Sequence, residues 1–259
     1  MNEAPDPEEL ARQGIEMLNA EGDARAAATA KTFFKPDEKV AFYGVRTSRV
    51  RQIESELFKA VRRAWTLPEA MEFCDILVRN PYLEAKALGL LLLARYKKSF
   101  RPGLLKTAKS WLSASQCGNW ATTDSVCPWI IAPLLERFPD LVPELKRWTS
   151  SGSLWLRRAA AVSLIPLARR GKHLEAAYAV ARSLLADNED LIHKATGWLL
   201  REAGKTNSAR LESFLLRQGS RIPRTTLRYA IERFPEAKRK SILRRTKETR
   251  SVNETDEHR

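Results

Sequence analysis

Trp120 and Asp124 stand four residues apart in the segment Gly118-Asn119-Trp120-Ala121-Thr122-Thr123-Asp124. Asn119 is a favourable helix N-cap, so a helix beginning there sets the indole and the carboxylate one turn apart on the same side. A carboxylate beside an aromatic face suits positive charge, either carried by a ligand or developing during a reaction. The competing reading buries Trp120 in the core and uses Asp124 to cap a neighbouring helix or pair with an arginine. Pro128 and Pro133 follow closely and are expected to kink or interrupt this helix, because each removes a backbone donor and clashes with the preceding turn.

Two further constellations are basic and aromatic. In Trp155-Leu156-Arg157-Arg158 the successive arginines point about 100° apart on a helix, so one is expected to face inward and the other solvent. A solvated basic rim is the plainer alternative. Lys194, Trp198, Arg201 and Lys205 recur at i, i+4, i+7 and i+11, which makes one helical stripe with an indole among cations. A core-facing stripe would not hold three charges, and a merely solvated one would not favour tryptophan. Such a face suits a sugar-phosphate surface, where cations take phosphates and a flat ring packs on sugar or base. The alternative leans Trp198 toward Leu191, half-buried.

The elements that must carry these residues are helices. Apolar clusters of helical length are separated by Pro or Gly punctuation, as at Leu67-Pro68, Asn80-Pro81, Phe138-Pro139, Arg170-Gly171 and Phe234-Pro235, with little of the β-branched alternation that marks strands. Tyr82 to Tyr96, Leu154 to Arg170 and Leu191 to Ala203 each place Ala, Leu or Ile along one side and cations near the C-terminal end. The expected fold is all-α, an α-solenoid of HEAT-like repeats in which each helical pair buries its face against its neighbours. Residues 1–22 read as an acidic segment with a short docking helix, 23–237 as the repeat domain and 238–259 as a basic tail without regular structure.

Composition narrows the function. The 259 residues hold 45 Lys and Arg against 31 Asp and Glu, a net charge of +14, so a polyanion is the expected partner. No apolar run reaches the roughly 20 residues of a membrane span, and Met1 to Leu18 is acidic, unlike a secretory leader. A soluble, intracellular protein is expected. Cys74, Cys117 and Cys127 contain no Cys-x-x-Cys pair, and His173, His193 and His258 are scattered, so neither a disulfide framework nor a bound metal is expected.

Over about residues 30 to 235 the chain resembles the DNA alkylation repair family of HEAT-like glycosylases. The resemblance rests on W-x-x-x-D at Trp120 and Asp124, W-L-x-R at Trp155 to Arg158, and K-A-x-G-W-x-L-R-E from Lys194 to Glu202, in that order. It implies that Asp124 is the catalytic carboxylate, that Trp120 and Trp198 are active-site aromatics, and that Arg158 contacts phosphate. Lys194, Arg201 and Lys205 join it as DNA-binding cations. The family's N-terminal aromatic contact falls around Phe34 or Tyr43, between which the sequence does not choose. The implied reaction is hydrolysis of the N-glycosidic bond of positively charged N3- or N7-alkylated purines, such as 3-methyladenine and 7-methylguanine. The implied partner is double-stranded DNA with alkylated bases, met by a monomer in the cytoplasm, nucleoid-associated when bound, with no cofactor and no membrane. A non-catalytic HEAT-like binder of damaged or branched DNA is the alternative.

Overall fold

The computed structural model describes residues 5–253 apart from 37, 39 and 115, with side chains as far as 247. Among the described residues the chain is helical, with one isolated parallel bridge between Ala41 and Tyr82 and no sheet. No described helix is long and apolar enough to cross a membrane. The helices pack as successive pairs, the repeat arrangement of an α-solenoid, and fall into two compact units, Met1–Leu134 and Leu135–Arg259.

The first unit holds α1 (Pro7–Ala20), α2 (Ala24–Lys31), α3 (Thr47–Val61), α4 (Leu67–Arg79), α5 (Leu83–Arg95), α6 (Leu104–Ser113) and α7 (Trp120–Val126). Helix α1 starts cleanly because the Asp6 carboxylate accepts the Glu9 amide at 2.7 Å and Pro7 occupies the first turn. Its Leu10 and Leu18 are fully buried, so part of the acidic N-terminal segment belongs to the core of this unit. Helix α4 opens with a capping box between Thr66 and Glu69. Helix α5 is apolar nearly all round, burying Leu88, Leu90, Leu92 and Leu93, and α3, α4 and α7 pack on it.

Helix α8 (Ala132–Arg137) carries the chain into the second unit, which holds α9 (Val142–Trp148), α10 (Leu154–Val162), α11 (Ile165–Ala168), α12 (Leu174–Leu184), α13 (Asp190–Ala203), α14 (Ser208–Gln218), α15 (Arg224–Ile231) and α16 (Glu236–Asn253). Helix α13 is its centre, packed by α10, α12 and α15. Gly197 permits the closest of these approaches, since a Cβ there would lie 2.7 Å from the Thr226 carbonyl oxygen. The tail expected to lack regular structure from Lys238 is helical as far as Asn253, with Ile242 and Thr246 buried. The buried Thr246 hydroxyl donates to the Ile242 carbonyl at 2.8 Å, so a polar residue takes the inward position that no apolar side chain supplies beyond Leu243. Residues 1–4 and 254–259, the ends of the two expected terminal segments, lie outside the described residues, as does His258.

Candidate active site

Helix α7 is short and fixed at its start. The Asn119 side chain accepts the Thr122 amide at 2.8 Å and its hydroxyl at 3.1 Å, and the Thr123 hydroxyl donates to the Cys117 carbonyl at 3.2 Å. Asn119, Thr122 and Thr123 are buried. The loop before it is tied to α5 by Lys86, a buried lysine whose ammonium donates to the carbonyls of Gln116, at 2.7 Å, and of Val78. Burial pushes the Lys86 pKa below its ordinary value. Cys117 packs in the same region, its thiol raised to about 12 by burial.

Trp120 and Asp124 therefore occupy the same regular helix, one turn apart, both half-buried. The interruption expected from Pro128 falls after them. Helix α7 ends at Val126 and a π-helical turn follows over Cys127–Ile131, in which the Ala132 amide donates to the Cys127 carbonyl five residues back. The cause is local: Pro128 has no N–H to give the carbonyl of residue 124, and its ring crowds that turn, so the ladder widens there. Asp124 thus sits immediately before a break in the helix, a position common at functional sites.

The indole of Trp120 is held from outside the helix. Phe34 stacks on it with ring centroids 5.0 Å apart and planes at 18°, and Phe42 packs on Phe34 at 5.4 Å. Of the two residues between which the sequence does not choose, Phe34 packs on Trp120, whereas Tyr43 stacks on Tyr82, at 3.9 Å. The segment carrying Phe42 is pinned by Glu84 on α5. Its buried carboxylate accepts the successive amides of Tyr43, Gly44 and Val45 at 3.2, 2.8 and 3.2 Å. Gly44 has φ of +86°, and a Cβ there would run into Asp23 and Ala27, so this turn requires glycine.

A cavity of about 500 Å³ lies against a neighbouring face of α7, lined by Ala26 and Ala30 of α2, Leu90 and Leu91 of α5, and Ala121, Ser125 and Trp129. Neither Trp120 nor Asp124 lines it.

In the second unit the two arginines of α10 do not divide between groove and solvent. The Arg157 guanidinium pairs with Asp187 at 2.6 Å and donates to the Ser151 carbonyl at 2.9 Å, with both charged side chains largely buried. Arg158 is buried too, and donates to the Leu191 carbonyl at 2.7 Å, next to the start of α13. The solvated rim is thereby corrected: both arginines find internal acceptors that the helical wheel does not display.

The expected stripe holds in part: Lys194, Trp198 and Arg201 lie on α13, but the helix ends at Ala203 and Lys205 falls in the turn beyond Gly204, so it does not continue the stripe, and all three cations are engaged by carboxylates. Lys194 pairs with Asp190 one turn back at 2.7 Å. That carboxylate holds the ammonium above its ordinary pKa, and the lysine in turn depresses Asp190. The charge of Arg158 acts on Lys194 in the opposite sense, which brings these two predicted cations into one neighbourhood. Trp198 is half-buried. Arg201 pairs with Glu232, the residue that ends α15, and Glu202, almost wholly buried, gathers Lys205 at 2.5 Å, Arg169 at 2.7 Å and Arg201 at 3.4 Å. Desolvation opposes the Glu202 charge, but the bonds from Lys205 and Arg169 outweigh it and its pKa lies below the ordinary carboxylate value. Glu202, next after Arg201, lies about 100° around the helix from it, so the spacing of the stripe does not reveal it.

On a helical-repeat fold, the first unit thus carries an indole and a carboxylate one turn apart, and the second unit a set of paired cations. The family of DNA alkylation repair enzymes matches residues 15–234, and the chain belongs to that family. Its place is therefore among enzymes of DNA repair that deal with alkylation damage. A solved structure described as a predicted DNA alkylation repair enzyme from Enterococcus faecalis is similar in fold, with a TM-score of 0.71 at 15% identity over 83% of this chain and 98% of that one. No curated protein matches.

Proposed function

We propose that the protein is a DNA glycosylase that hydrolyses the N-glycosidic bond of N3- or N7-alkylated purines in duplex DNA. Alkylation at either nitrogen places a positive charge on the base, which makes it a good leaving group without protonation. Cleavage then builds positive charge on the deoxyribose, as in other glycosidic hydrolyses. The Asp124 carboxylate stabilises that oxocarbenium-like sugar and orients the attacking water. Indole faces add cation–π attraction of up to about 2 kcal/mol each where water is excluded, the role assigned to Trp120 and Trp198. Arg158 and Lys194, with Arg201 and Lys205, contact backbone phosphates without reading sequence. Arg158 is buried and bonded to the Leu191 carbonyl, so phosphate must draw it from that acceptor, as it must draw Arg201 from Glu232 and Lys205 from Glu202.

The observation that carries this reading is the pairing of Trp120 and Asp124 on one short capped helix, with the indole stacked on Phe34. Since the leaving base already carries the charge, the chemistry asks for no cofactor.

The test is release of 7-methylguanine and 3-methyladenine from methylated duplex DNA by the wild type and by Asp124→Asn. Loss of about 10²-fold or more in rate, with duplex affinity retained, is expected for a lost electrostatic stabiliser. Binding without release by either protein would instead identify a non-catalytic binder of damaged or branched DNA.

A further inference from the structure

Helices α12 and α14 turn matched faces toward each other in the second unit. Glu175, Tyr178 and Arg182 recur at i, i+3 and i+7 on α12, and Arg210, Phe214 and Arg217 at i, i+4 and i+7 on α14. All of these line one cavity of about 320 Å³. Its buried part is aromatic, with the rings of Tyr178 and Phe214 5.0 Å apart at 48°. Two guanidiniums rest on those rings, Arg210 over Tyr178 at 4.6 Å and Arg182 over Phe214 at 5.9 Å. Arg210 also pairs at 2.7 Å with Glu175, whose side chain is 89% exposed, so solvent screens that bond. Arg182 and Arg217 are exposed. Tyr178 is only 3% exposed, and its buried hydroxyl has no hydrogen-bond partner among the described residues. Burial raises its pKa, and the charges of Arg210 and Glu175 both act on it, which sets a protonated O–H among the charged groups of the cavity. A buried donor without an acceptor is costly, and three guanidiniums around one space repel each other. An oxyanion in the cavity removes both costs.

We propose that the cavity between α12 and α14 binds a phosphate monoester dianion, held by Arg182, Arg210 and Arg217 and by a hydrogen bond from the Tyr178 hydroxyl. Guanidinium forks match the oxygens of a phosphate, and the rings beneath Arg182 and Arg210 hold those forks in place. Three guanidiniums against the single Glu175 carboxylate leave two positive charges. A monoester neutralises both above about pH 6, whereas each phosphate inside a DNA strand carries one charge. No residue of this cavity is assigned to base release or to DNA contact, so the site stands independently of the glycosylase reading. Free phosphate and the 5′-phosphate of a nucleotide share the chemistry it recognises.

The experiment titrates the full chain by calorimetry, at about pH 7.5 in chloride buffer, with inorganic phosphate and with thymidine 5′-monophosphate, using thymidine as the control. Wild type is expected to show one saturable phosphate site and no response to thymidine. Tyr178→Phe should weaken that site by about tenfold, the value of a hydrogen bond to a charged group, and Arg217→Gln by as much or more. Without phosphate, Tyr178→Phe should melt no lower than wild type, because it removes only a hydroxyl that has no partner; the loss of binding is then not a loss of folding. Tighter binding of the nucleotide supports the site and assigns its ligand to a nucleotide 5′-phosphate, and tighter binding of inorganic phosphate supports it with free phosphate as the ligand. No saturable binding of either, or equal affinity in wild type and Tyr178→Phe, overturns the proposal, the latter because phosphate would then be held elsewhere on the basic surface. Base release by both variants is expected at the wild-type rate, so the outcome for this cavity and the outcome for the glycosylase are read separately.

Discussion

The contact between Phe34 and Trp120 yields a prediction whose size can be worked from geometry. Phe34 makes two ring contacts, with Trp120 at 5.0 Å and 18° and with Phe42 at 5.4 Å and 59°. Each such pair is worth about 0.5–1.5 kcal/mol beyond buried area, so Phe34→Ala removes about 1–3 kcal/mol of ring contact. Only the Trp120 contact bears on the site. A loss of about 1 kcal/mol in ordering that indole corresponds to roughly a fivefold fall in kcat/KM for base release. Phe34→Leu keeps much of the buried area but not the stack, so it should lose as much activity while losing less stability. The assay is a double-mutant cycle with Trp120→Ala on 7-methylguanine release. Residues in contact should be coupled by at least about 0.5 kcal/mol, because removing the platform no longer matters once the indole is gone. Additive effects of the two substitutions would refute the argument, since they would mean that Trp120 holds its place in the proposed site without Phe34.

Three other perturbations separate structural from functional charges. Arg157→Ala leaves Asp187 without its guanidinium and should destabilise the second unit by about 3 kcal/mol, seen as a lowered melting temperature, with DNA affinity of the folded protein little changed. Arg158→Gln should weaken duplex binding and reduce the slope of log affinity against log salt by about 1, a result that an unaltered slope would contradict. Glu202 has a folded pKa below its unfolded value, so the native state binds fewer protons than the unfolded one around and below the ordinary carboxylate pKa. Its stabilisation is therefore full above that range and is lost as pH falls through the depressed folded value. Glu202→Gln should accordingly flatten the acid limb of a stability-against-pH curve, and an unchanged limb would show that the cluster of Arg169, Arg201 and Lys205 gains nothing from the charge. Uracil, a neutral base, should be released far more slowly than 7-methylguanine, and comparable rates would overturn a mechanism in which the leaving base supplies its own charge.

The fold class and the α7 pair were legible because both depend on short-range rules. A capping asparagine and a four-residue spacing decide where Trp120 and Asp124 point without reference to any distant residue, and Pro128 acts only on the turn before it. Helical punctuation by Pro and Gly likewise follows from backbone chemistry. The partners of the cations were not legible. Asp187 lies thirty residues from Arg157, and Glu232 thirty-one from Arg201. The stacking of Tyr43 on Tyr82 depends on Glu84 drawing three amides onto α5 from forty residues away, which fixes the path of that segment.

The helix wheel fixes the direction of Lys194, Trp198 and Arg201, though not that of Lys205 beyond the end of α13, and it does not show whether a direction ends in solvent, on phosphate or on a carboxylate. Charge arithmetic supplies the missing discrimination among the three cations. Lys194 pairs with a single exposed aspartate on its own helix, an interaction that solvent screens and that a phosphate can replace at little cost. Arg201 and Lys205 instead share the buried Glu202, and withdrawing either leaves that carboxylate less compensated in a poorly solvated place. A phosphate must therefore offer more to Arg201 or Lys205 than to Lys194. The ordering follows that Lys194→Ala should change DNA affinity more than stability, and Lys205→Ala the reverse. Paired melting and duplex-binding titrations on the two variants measure it directly, and equal affinity losses with no difference in melting would sink the distinction.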